Sequence, residues 1–234
     1  MLQVQAIEAG YGDVNILWGV DIEVEEHDMI ALVGANGVGK STLLRTISGL
    51  LSPKRGSIHF RGQSLVGKSC EDIVRYGVSQ IPEGRQLFWG LTIKENLKMG
   101  GYLRNDETGI NQDMEWVLEL FPILRERANQ LAGTLSGGEQ QMCAIGRGLM
   151  ARPQLLIIDE LSLGLAPVVT EQLLEVIQKI HKDGLTLLIV EQDIQSILEL
   201  CNKGYVMETG KIVLKGDSAD LLKSEHVRKA YLGI

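Results

Sequence analysis

The stretch GANGVGKS, residues 34–41, decides the fold. It matches the pattern G-x-x-x-x-G-K-[ST] in full, at Gly34, Gly39, Lys40 and Ser41. A short apolar run precedes it, and a stretch with helical spacing, KSTLLRTISGLL, follows it. In this strand–loop–helix context a glycine-rich loop holds phosphate, because backbone N–H groups and the helix N-terminus point at the anion. A chance glycine turn followed by Lys-Ser is the alternative, and the flanking pattern argues against it.

This loop predicts a nucleotide site with Mg²⁺. The Lys40 side chain is expected to reach the β- and γ-phosphates, and the Ser41 hydroxyl to bind the metal ion. The predicted nucleotide-binding residues of the loop are Gly34, Asn36, Gly37, Gly39, Lys40, Ser41 and Thr42.

A second motif, LLIIDE at residues 155–160, supplies the carboxylates that phosphate chemistry needs. Asp159 ends a predicted buried strand, where its carboxylate can hold the water shell of Mg²⁺. Glu160 follows it and is predicted to orient and deprotonate the attacking water. A carboxylate pair that only caps the next helix is the weaker alternative beside a complete phosphate loop.

A third motif, LSGGEQQ at residues 135–141, also has the form of an anion cradle. Ser136 and Glu139 fit a capping box, which gives the motif a structural explanation. Capping alone does not call for Gly137 and Gly138, which cost helix stability. Exposed N–H groups at a helix start do explain them if a phosphate must come close. The sequence therefore predicts two chains arranged head to tail, with these residues closing over the γ-phosphate that the other chain holds.

Composition limits the class of protein. The chain has 234 residues, 44% of them hydrophobic, and a formal net charge of −7. No long basic block appears, which argues against a general nucleic-acid binder. No run of about 18 apolar residues occurs and the N-terminus lacks signal-peptide features, so neither a spanning helix nor a leader is expected. The three scattered cysteines predict buried free thiols.

Hydrophobic periodicity predicts an α/β fold. LQVQAIEA, residues 2–9, and GSIHFRGQSL, residues 56–65, have strand patterns, and GYVMETGKIVLKG predicts a hairpin. The apolar runs LLIID and LTLLIV predict buried parallel strands with a helix between them. After Pro82 the pattern turns helical, with helices predicted at TIKENLKMG, at DMEWVLELFPILRERANQL and over residues 136–151.

The three motifs occur in the order typical of the ATP-binding-cassette family, and the chain resembles this family over essentially its whole length. The resemblance implies a P-loop NTPase core with a mainly parallel sheet, an N-terminal antiparallel β subdomain and a helical subdomain. We expect one nucleotide-binding domain over residues 1–234, with the helical subdomain at about 84–152. The implied cofactors are ATP and Mg²⁺, and Tyr11 is expected to stack on adenine.

Four positions depart from the usual family pattern. Glu83 stands where most members have a Gln that senses Mg²⁺ and the membrane partner, and Gln192 stands where most have a His at the γ-phosphate. Leu161 replaces the Pro after the catalytic glutamate, and Leu165 replaces an Asp in the following loop. The stretches PEGR, TIKENLKMGGY, SLGLAP, VEQ and VRKAYLGI resemble the shorter ATPase subunit of branched-chain amino-acid importers, which commonly carries the Glu and Gln exchanges.

That resemblance implies partners and a location. The expected partners are two hydrophobic permease subunits, a second ATPase subunit that is either a different, longer chain or another copy, and, indirectly, a secreted substrate-binding protein. No nucleic-acid partner is expected. The chain is expected to lie peripherally on the cytoplasmic face of the inner or plasma membrane. Leu87, Phe88 and Trp89 predict an apolar docking patch, although one or two of them are expected to pack inside the helical lobe.

Other functions remain open at the level of sequence. Importers of urea, short amides or other amino acids use closely similar ATPases. A soluble cassette protein of DNA repair or translation usually carries coiled-coil insertions or two tandem cassettes, and this chain shows neither. A small-molecule kinase would not need LSGGEQQ, and a GTPase would need a guanine-reading motif such as N-K-x-D, which is absent.

Overall fold

The computed structural model of the chain describes residues 1–232 and divides into two compact units. The first unit comprises Met1–Tyr76 together with residues 186–232, and the second comprises Gly77–Leu185. The last two residues of the motif VRKAYLGI lie outside the described residues. Within residues 1–232, no helix has the length and apolar character needed to cross a membrane.

The strands are β1 Leu2–Tyr11, β2 Val14–Val24, β3 Met29–Val33, β4 Arg55–Phe60, β5 Gln63–Ser64, β6 Val78–Ile81, β7 Leu155–Asp159, β8 Thr186–Glu191, β9 Lys203–Glu208 and β10 Lys211–Asp217. The α-helices are α1 Lys40–Ile47, α2 Cys70–Arg75, α3 Ile93–Gly100, α4 Glu107–Leu120, α5 Pro122–Glu126, α6 Gly137–Leu149, α7 Pro167–Lys182, α8 Ile194–Leu200, α9 Ser218–Lys223 and α10 Glu225–Val227. A 3₁₀ turn spans Ala132–Thr134, and a π-helical turn spans Arg228–Leu232.

The first unit contains the predicted antiparallel β subdomain. Its strands lie in the order β2-β1-β4-β5, and every neighbouring pair is antiparallel. Leu2 is opposite Val24 on one side and Phe60 on the other, and all three side chains are buried. The apolar positions of these strands therefore face one core.

The same unit also contains parallel strands that position the phosphate loop. β3 is parallel to β8 and β9, while β10 returns antiparallel along β9. All five residues of β3 and all six of β8 are buried. Near-continuous apolar runs of this kind are typical of parallel strands covered on both faces. The predicted strand at LTLLIV and the hairpin at GYVMETGKIVLKG are thus confirmed.

The second unit holds β6 and β7, which are parallel, with Ile81 opposite Ile158. The helices α3 to α6 lie between these strands in sequence, as the predicted helical insertion requires. One helix differs from the prediction at residues 113–131. α4 begins earlier, at Glu107, and ends at Leu120, and α5 starts afresh at Pro122. Because proline disfavours helical backbone in the residue before it, Phe121 adopts φ −127° and ψ 78° and separates the two helices.

The cysteines follow their prediction in part. Cys143 and Cys201 are buried free thiols, whereas Cys70 is partly exposed. Burial raises the pKa of Cys143 to about 11 and that of Cys201 to about 12. Both thiols are therefore protonated near neutral pH. The nucleophilic form of cysteine is the thiolate.

Candidate functional site

The phosphate loop lies between β3 and α1 in the first unit. Gly34 packs so tightly that a Cβ atom there would lie 2.3 Å from the Met207 carbonyl oxygen. Gly39 has φ 112° and is the N-cap of α1, and as a glycine it has no side chain that could cap the first turn. The first-turn N–H groups of α1 thus remain available to an anion, and the positive end of the helix dipole adds to them. This donor set fits a nucleotide phosphate.

Lys40 is buried and arches back over the loop. Its Nζ donates to the carbonyl oxygens of Gly34 at 2.7 Å and Ala35 at 3.0 Å. Asn36 and Gly37 are exposed at the tip. The loop therefore keeps its curled shape, with the ammonium group held within the predicted phosphate site.

Tyr11 reaches the same helix from the end of β1. Its hydroxyl accepts a hydrogen bond from Arg45 Nη1 at 3.0 Å. Burial raises the pKa of Tyr11, but hydrogen bonds to Thr42 and Arg45, with the charge of Arg45, outweigh burial and lower it. The ring stays half exposed. The structure thus brings Tyr11 next to α1, with ring surface available for stacking.

Gln192 follows β8 at the carboxyl end of the parallel strands. Because Val33 pairs with Glu191, Gln192 is one residue beyond the position that aligns with the end of β3. Glu191 is buried, and its Oε2 accepts the backbone N–H of Gln192 at 3.0 Å. Glu191 is not among the predicted site residues, and its contact with the backbone of Gln192 gives it a supporting place beside them. A carboxylate that ends an apolar strand is a signal that could have singled it out.

Ser41 lies in the first turn of α1 in the first unit and is partly exposed. The predicted metal residues Asp159 and Glu83, the predicted base Glu160 and the LSGGEQQ segment lie in the second unit. Asp159 is buried at the end of β7, and Glu160 is partly exposed with φ 56°. Positive φ is uncommon outside glycine and occurs often at functional sites. Leu161, which replaces the usual proline, is buried and contributes to the core. Glu83 is exposed, and its carbonyl oxygen accepts a long hydrogen bond of 3.5 Å from Gln86 Nε2.

The LSGGEQQ segment forms the start of α6. Ser136 is the N-cap, and its Oγ accepts the Glu139 N–H at 3.4 Å while Glu139 Oε2 accepts the Ser136 N–H at 2.8 Å. The capping box is therefore present. A Cβ atom on Gly137 would have Arg85 Nη2 at 3.4 Å and Leu165 Cδ2 at 3.6 Å as its closest neighbours.

Gly138 has a packing role that sequence reasoning missed. A Cβ at this position would lie 2.5 Å from Cγ1 of Val169 on α7. Close packing of α6 on α7 therefore excludes a side chain at Gly138, independently of any phosphate. The expectation that an anion alone explains both glycines needs this correction. A Cβ atom fits at Gly137 without a clash, so packing does not require a glycine there.

In residues 1–232, no three His, Cys, Asp or Glu side chains form a group that could hold a metal ion. Mg²⁺ at a nucleotide site commonly uses one or two carboxylates with phosphate oxygens and waters, and it does not require such a group.

Comparisons with known proteins identify the family. A sequence model described as ABC transporter matches residues 17–162. The chain is 46% identical over 233 residues to the high-affinity branched-chain amino acid transport ATP-binding protein BraG of Pseudomonas aeruginosa, with 100% of both chains covered. It is 34% identical to the probable branched-chain amino acid transport ATP-binding protein LivF of Archaeoglobus fulgidus, covering 100% of this chain and 99% of that one.

Solved structures agree with this assignment. A nucleotide-free ATP-binding cassette from an ABC transporter superimposes with a TM-score of 0.88 at 26% identity, covering 100% of this chain and 99% of that chain. The ADP conformation of the cassette MJ1267 gives a TM-score of 0.89 at 27% identity with the same coverage. The chain therefore belongs to the ABC transporter family and is one of its ATP-binding, ATP-hydrolysing cassettes.

Proposed function

We propose that this chain is the ATP-hydrolysing subunit of an importer for branched-chain amino acids. The observation that carries the proposal is its end-to-end similarity to BraG, at 46% identity with full coverage. The similarity to LivF over the same length supports it. Residues 1–234 act as one nucleotide-binding domain, and about residues 84–152 form its helical subdomain.

The chemistry is phosphoryl transfer to water. The backbone of residues 34–41, with Asn36, Gly37 and Thr42, holds the phosphates, and Tyr11 stacks on adenine. Ser41, Asp159 and Glu83 would hold Mg²⁺, which, when bound, would neutralise charge on the phosphates. Glu160 takes the proton of the attacking water. Gln192 donates its amide N–H to a γ-phosphate oxygen and positions it.

The ATP site is completed by a second cassette. Ser136 is exposed and Gly137 is partly exposed at the start of α6, in the unit that does not contain the phosphate loop. Together with Gly138 they close over the γ-phosphate held by the other cassette. That second cassette is a longer ATPase subunit or another copy of this chain.

The chain acts on two permease subunits at the cytoplasmic face of the membrane, and a secreted binding protein delivers the cargo. Phe88 and Trp89 are 47% and 51% exposed, whereas Leu87 is 5% exposed. Two of the three predicted docking residues are thus available to a helix from a permease loop, and Leu87 supports them from inside the lobe.

Reconstitution tests this function. The chain is purified with candidate permeases and a candidate longer ATPase from the same genome and placed in vesicles with a candidate binding protein. Leucine-loaded binding protein should raise ATP turnover and drive leucine uptake. Stimulation by urea or a short amide, with none by leucine, would move the proposal to the corresponding importer. Failure of any permease to associate with the chain would favour a cassette protein without a transport role.

A further inference from the structure

The segment between β6 and α3, residues 82–92, is fastened to two helices of its own unit. Arg147 on α6 donates from Nη1 to the Gln86 carbonyl oxygen at 2.7 Å and from Nη2 to the Arg85 carbonyl oxygen at 2.9 Å. Its guanidinium carbon also lies 5.6 Å from the ring centroid of Phe88. Asn96 on α3 is fully buried, accepts the Phe88 N–H at 2.9 Å and donates to the Phe88 oxygen at 3.0 Å.

The backbone of this segment has an uncommon shape. Arg85 and Gln86 have φ values of 65° and 47°, two successive positive values in residues other than glycine. Positive φ is uncommon in such residues and persists where surrounding contacts over-determine it. Arg147 on α6 donates to the carbonyl oxygens of both residues that have positive φ. The shape is therefore held by α6.

The Arg85 side chain connects the segment to the start of α6 and to the loop after Glu160. Its Nε donates to Gln141 Oε1 at 3.3 Å and its Nη1 to Gln140 Oε1 at 3.2 Å, both in the first turns of α6. Its Nη2 donates to the Leu163 carbonyl oxygen at 3.2 Å, three residues after Glu160. The same Nη2 is the closest atom to a Cβ built on Gly137. One planar guanidinium thus joins three parts of the unit, as its rigid fork allows.

We propose that Arg85 is a positioning residue for ATP hydrolysis. It fixes the start of α6 and the loop after Glu160 in one arrangement, so that the position of the exposed Phe88–Trp89 surface is transmitted to Ser136 and Glu160. The effect on hydrolysis follows from this unit's own contacts. The link to a permease rests on the proposed function.

The experiment uses the purified full-length chain with the variants Arg85→Ala, Arg85→Lys and Gln140→Ala and the double variant Arg85→Ala/Gln140→Ala. Arg125→Ala is the matched control, because Arg125 is an exposed arginine of the same unit that bonds Glu115 and lies outside this segment. The readouts are the affinity for a fluorescent ATP analogue, kcat and KM, the thermal midpoint, and ATP-dependent dimer formation in a Glu160→Gln background.

Arg85→Ala should lower kcat about tenfold, equivalent to about 1.4 kcal/mol, and should weaken dimer formation. Nucleotide affinity should stay within about twofold, because the Arg85 side chain bonds Gln140, Gln141 and Leu163, none of which belongs to the phosphate loop. Arg85→Lys should recover only part of kcat, since a lysine cannot make the three-way fork. The effects of Arg85→Ala and Gln140→Ala on kcat should be less than additive, because each substitution removes the same hydrogen bond between Arg85 and Gln140.

Several results would overturn the inference. They are an unchanged kcat in Arg85→Ala, complete rescue by lysine, additive effects in the double variant, or a loss of nucleotide affinity that tracks a lower thermal midpoint. If Arg85→Ala does not fold, Arg85→Lys replaces it in the cycle with Gln140→Ala. If only the transport role is wrong, the isolated chain still shows these effects, while no permease stimulates even the wild type.

Discussion

At the scale of single residues, Glu160 is the side chain proposed to act as the base. Its carboxylate follows a strand whose five residues are all buried, and its backbone has φ 56°. A non-glycine residue in this region costs of order 1–3 kcal/mol, which surrounding structure must compensate. Strain of this kind at a carboxylate next to a buried aspartate supports a role in the reaction.

The first prediction concerns this base. Glu160→Gln should bind ATP but hydrolyse it at least ~100-fold more slowly, because an amide cannot take the proton of the attacking water. The ATP-bound dimer should accumulate, which size-exclusion chromatography with ATP measures. Glu171→Gln, at an exposed position of α7, is the control and should be near wild type. Near-normal turnover of Glu160→Gln would remove Glu160 from this role.

The second prediction concerns Gln192. A glutamine amide stays neutral between pH 5.5 and about 8.5, whereas an imidazole titrates near pH 6.5. Gln192→Ala should lower turnover, since a donor to the γ-phosphate is lost, and should leave the shape of the pH profile unchanged. Gln192→His should introduce a pH-dependent step near neutrality. Gln195→Ala, on exposed α8 surface, is the control.

The measurement is a pH–rate profile for all four proteins. Turnover of Gln192→Ala equal to wild type would show that this residue does not contact the phosphate. Its place one residue beyond the Val33–Glu191 pair would then be a coincidence of strand register.

At the scale of elements, predictability depended on how many local signals coincided. The segment from β3 through the phosphate loop to α1 combines an apolar run, a complete motif and helical spacing. Its predicted strand and helix are confirmed. The α4–α5 break was missed because apolar periodicity continues through Pro122, although proline chemistry opposes a continuous helix there. β6 has only four residues, too few for a pattern.

The contacts of Arg85 and the packing at Gly138 could not be predicted for a different reason. Arg85 bonds residues 55, 56 and 78 positions away, and Gly138 packs against Val169. Neither relation leaves a periodic trace in a single sequence. Motif chemistry predicts which residues bind phosphate, whereas the residues that pack against them emerge only from the fold.

The third prediction separates packing from nucleotide contact at the α6–α7 junction. Gly138→Ala should destabilise the chain by about 1–3 kcal/mol, because its methyl group would overlap Val169. Val169→Ala in the same chain should restore part of that stability. Gly137→Ala, where the nearest atoms are 3.4 Å and more from the added methyl group, should keep its stability but weaken ATP-dependent dimer formation.

Urea unfolding gives the free energies of these variants, and dimer formation is scored in the Glu160→Gln background. Equal stability of Gly138→Ala and wild type would contradict the packing argument. Normal dimer formation by Gly137→Ala would remove Gly137 from the proposed phosphate contact.

At the scale of the whole molecule, the predicted ATP contacts are divided between the two units. Tyr11, Lys40 and Gln192 belong to the first unit, and Ser136 and Glu160 belong to the second. Lys40 is buried in its loop, whereas Ser136 is exposed at the start of its helix. A buried phosphate contact suits a site that the chain builds for itself, and an exposed one suits a contact offered to another chain.

The last prediction tests this shared site. Lys40→Ala removes the ammonium group from the phosphate loop, and Ser136→Arg blocks the start of α6, so each variant alone should be nearly inactive. In a mixed dimer, both changes fall in one ATP site and the other site is intact, so mixing the two should restore part of the activity.

Ser136→Ala is the control, because it loses the cap, worth about 1 kcal/mol, without adding bulk. ATP turnover is measured across mixing ratios, with mixed dimers verified by two affinity tags. If the natural partner is a longer subunit, the two changes are divided between it and this chain. Verified mixed dimers that stay inactive would contradict the shared site, and the capping box would then be the explanation left for the exposed Ser136.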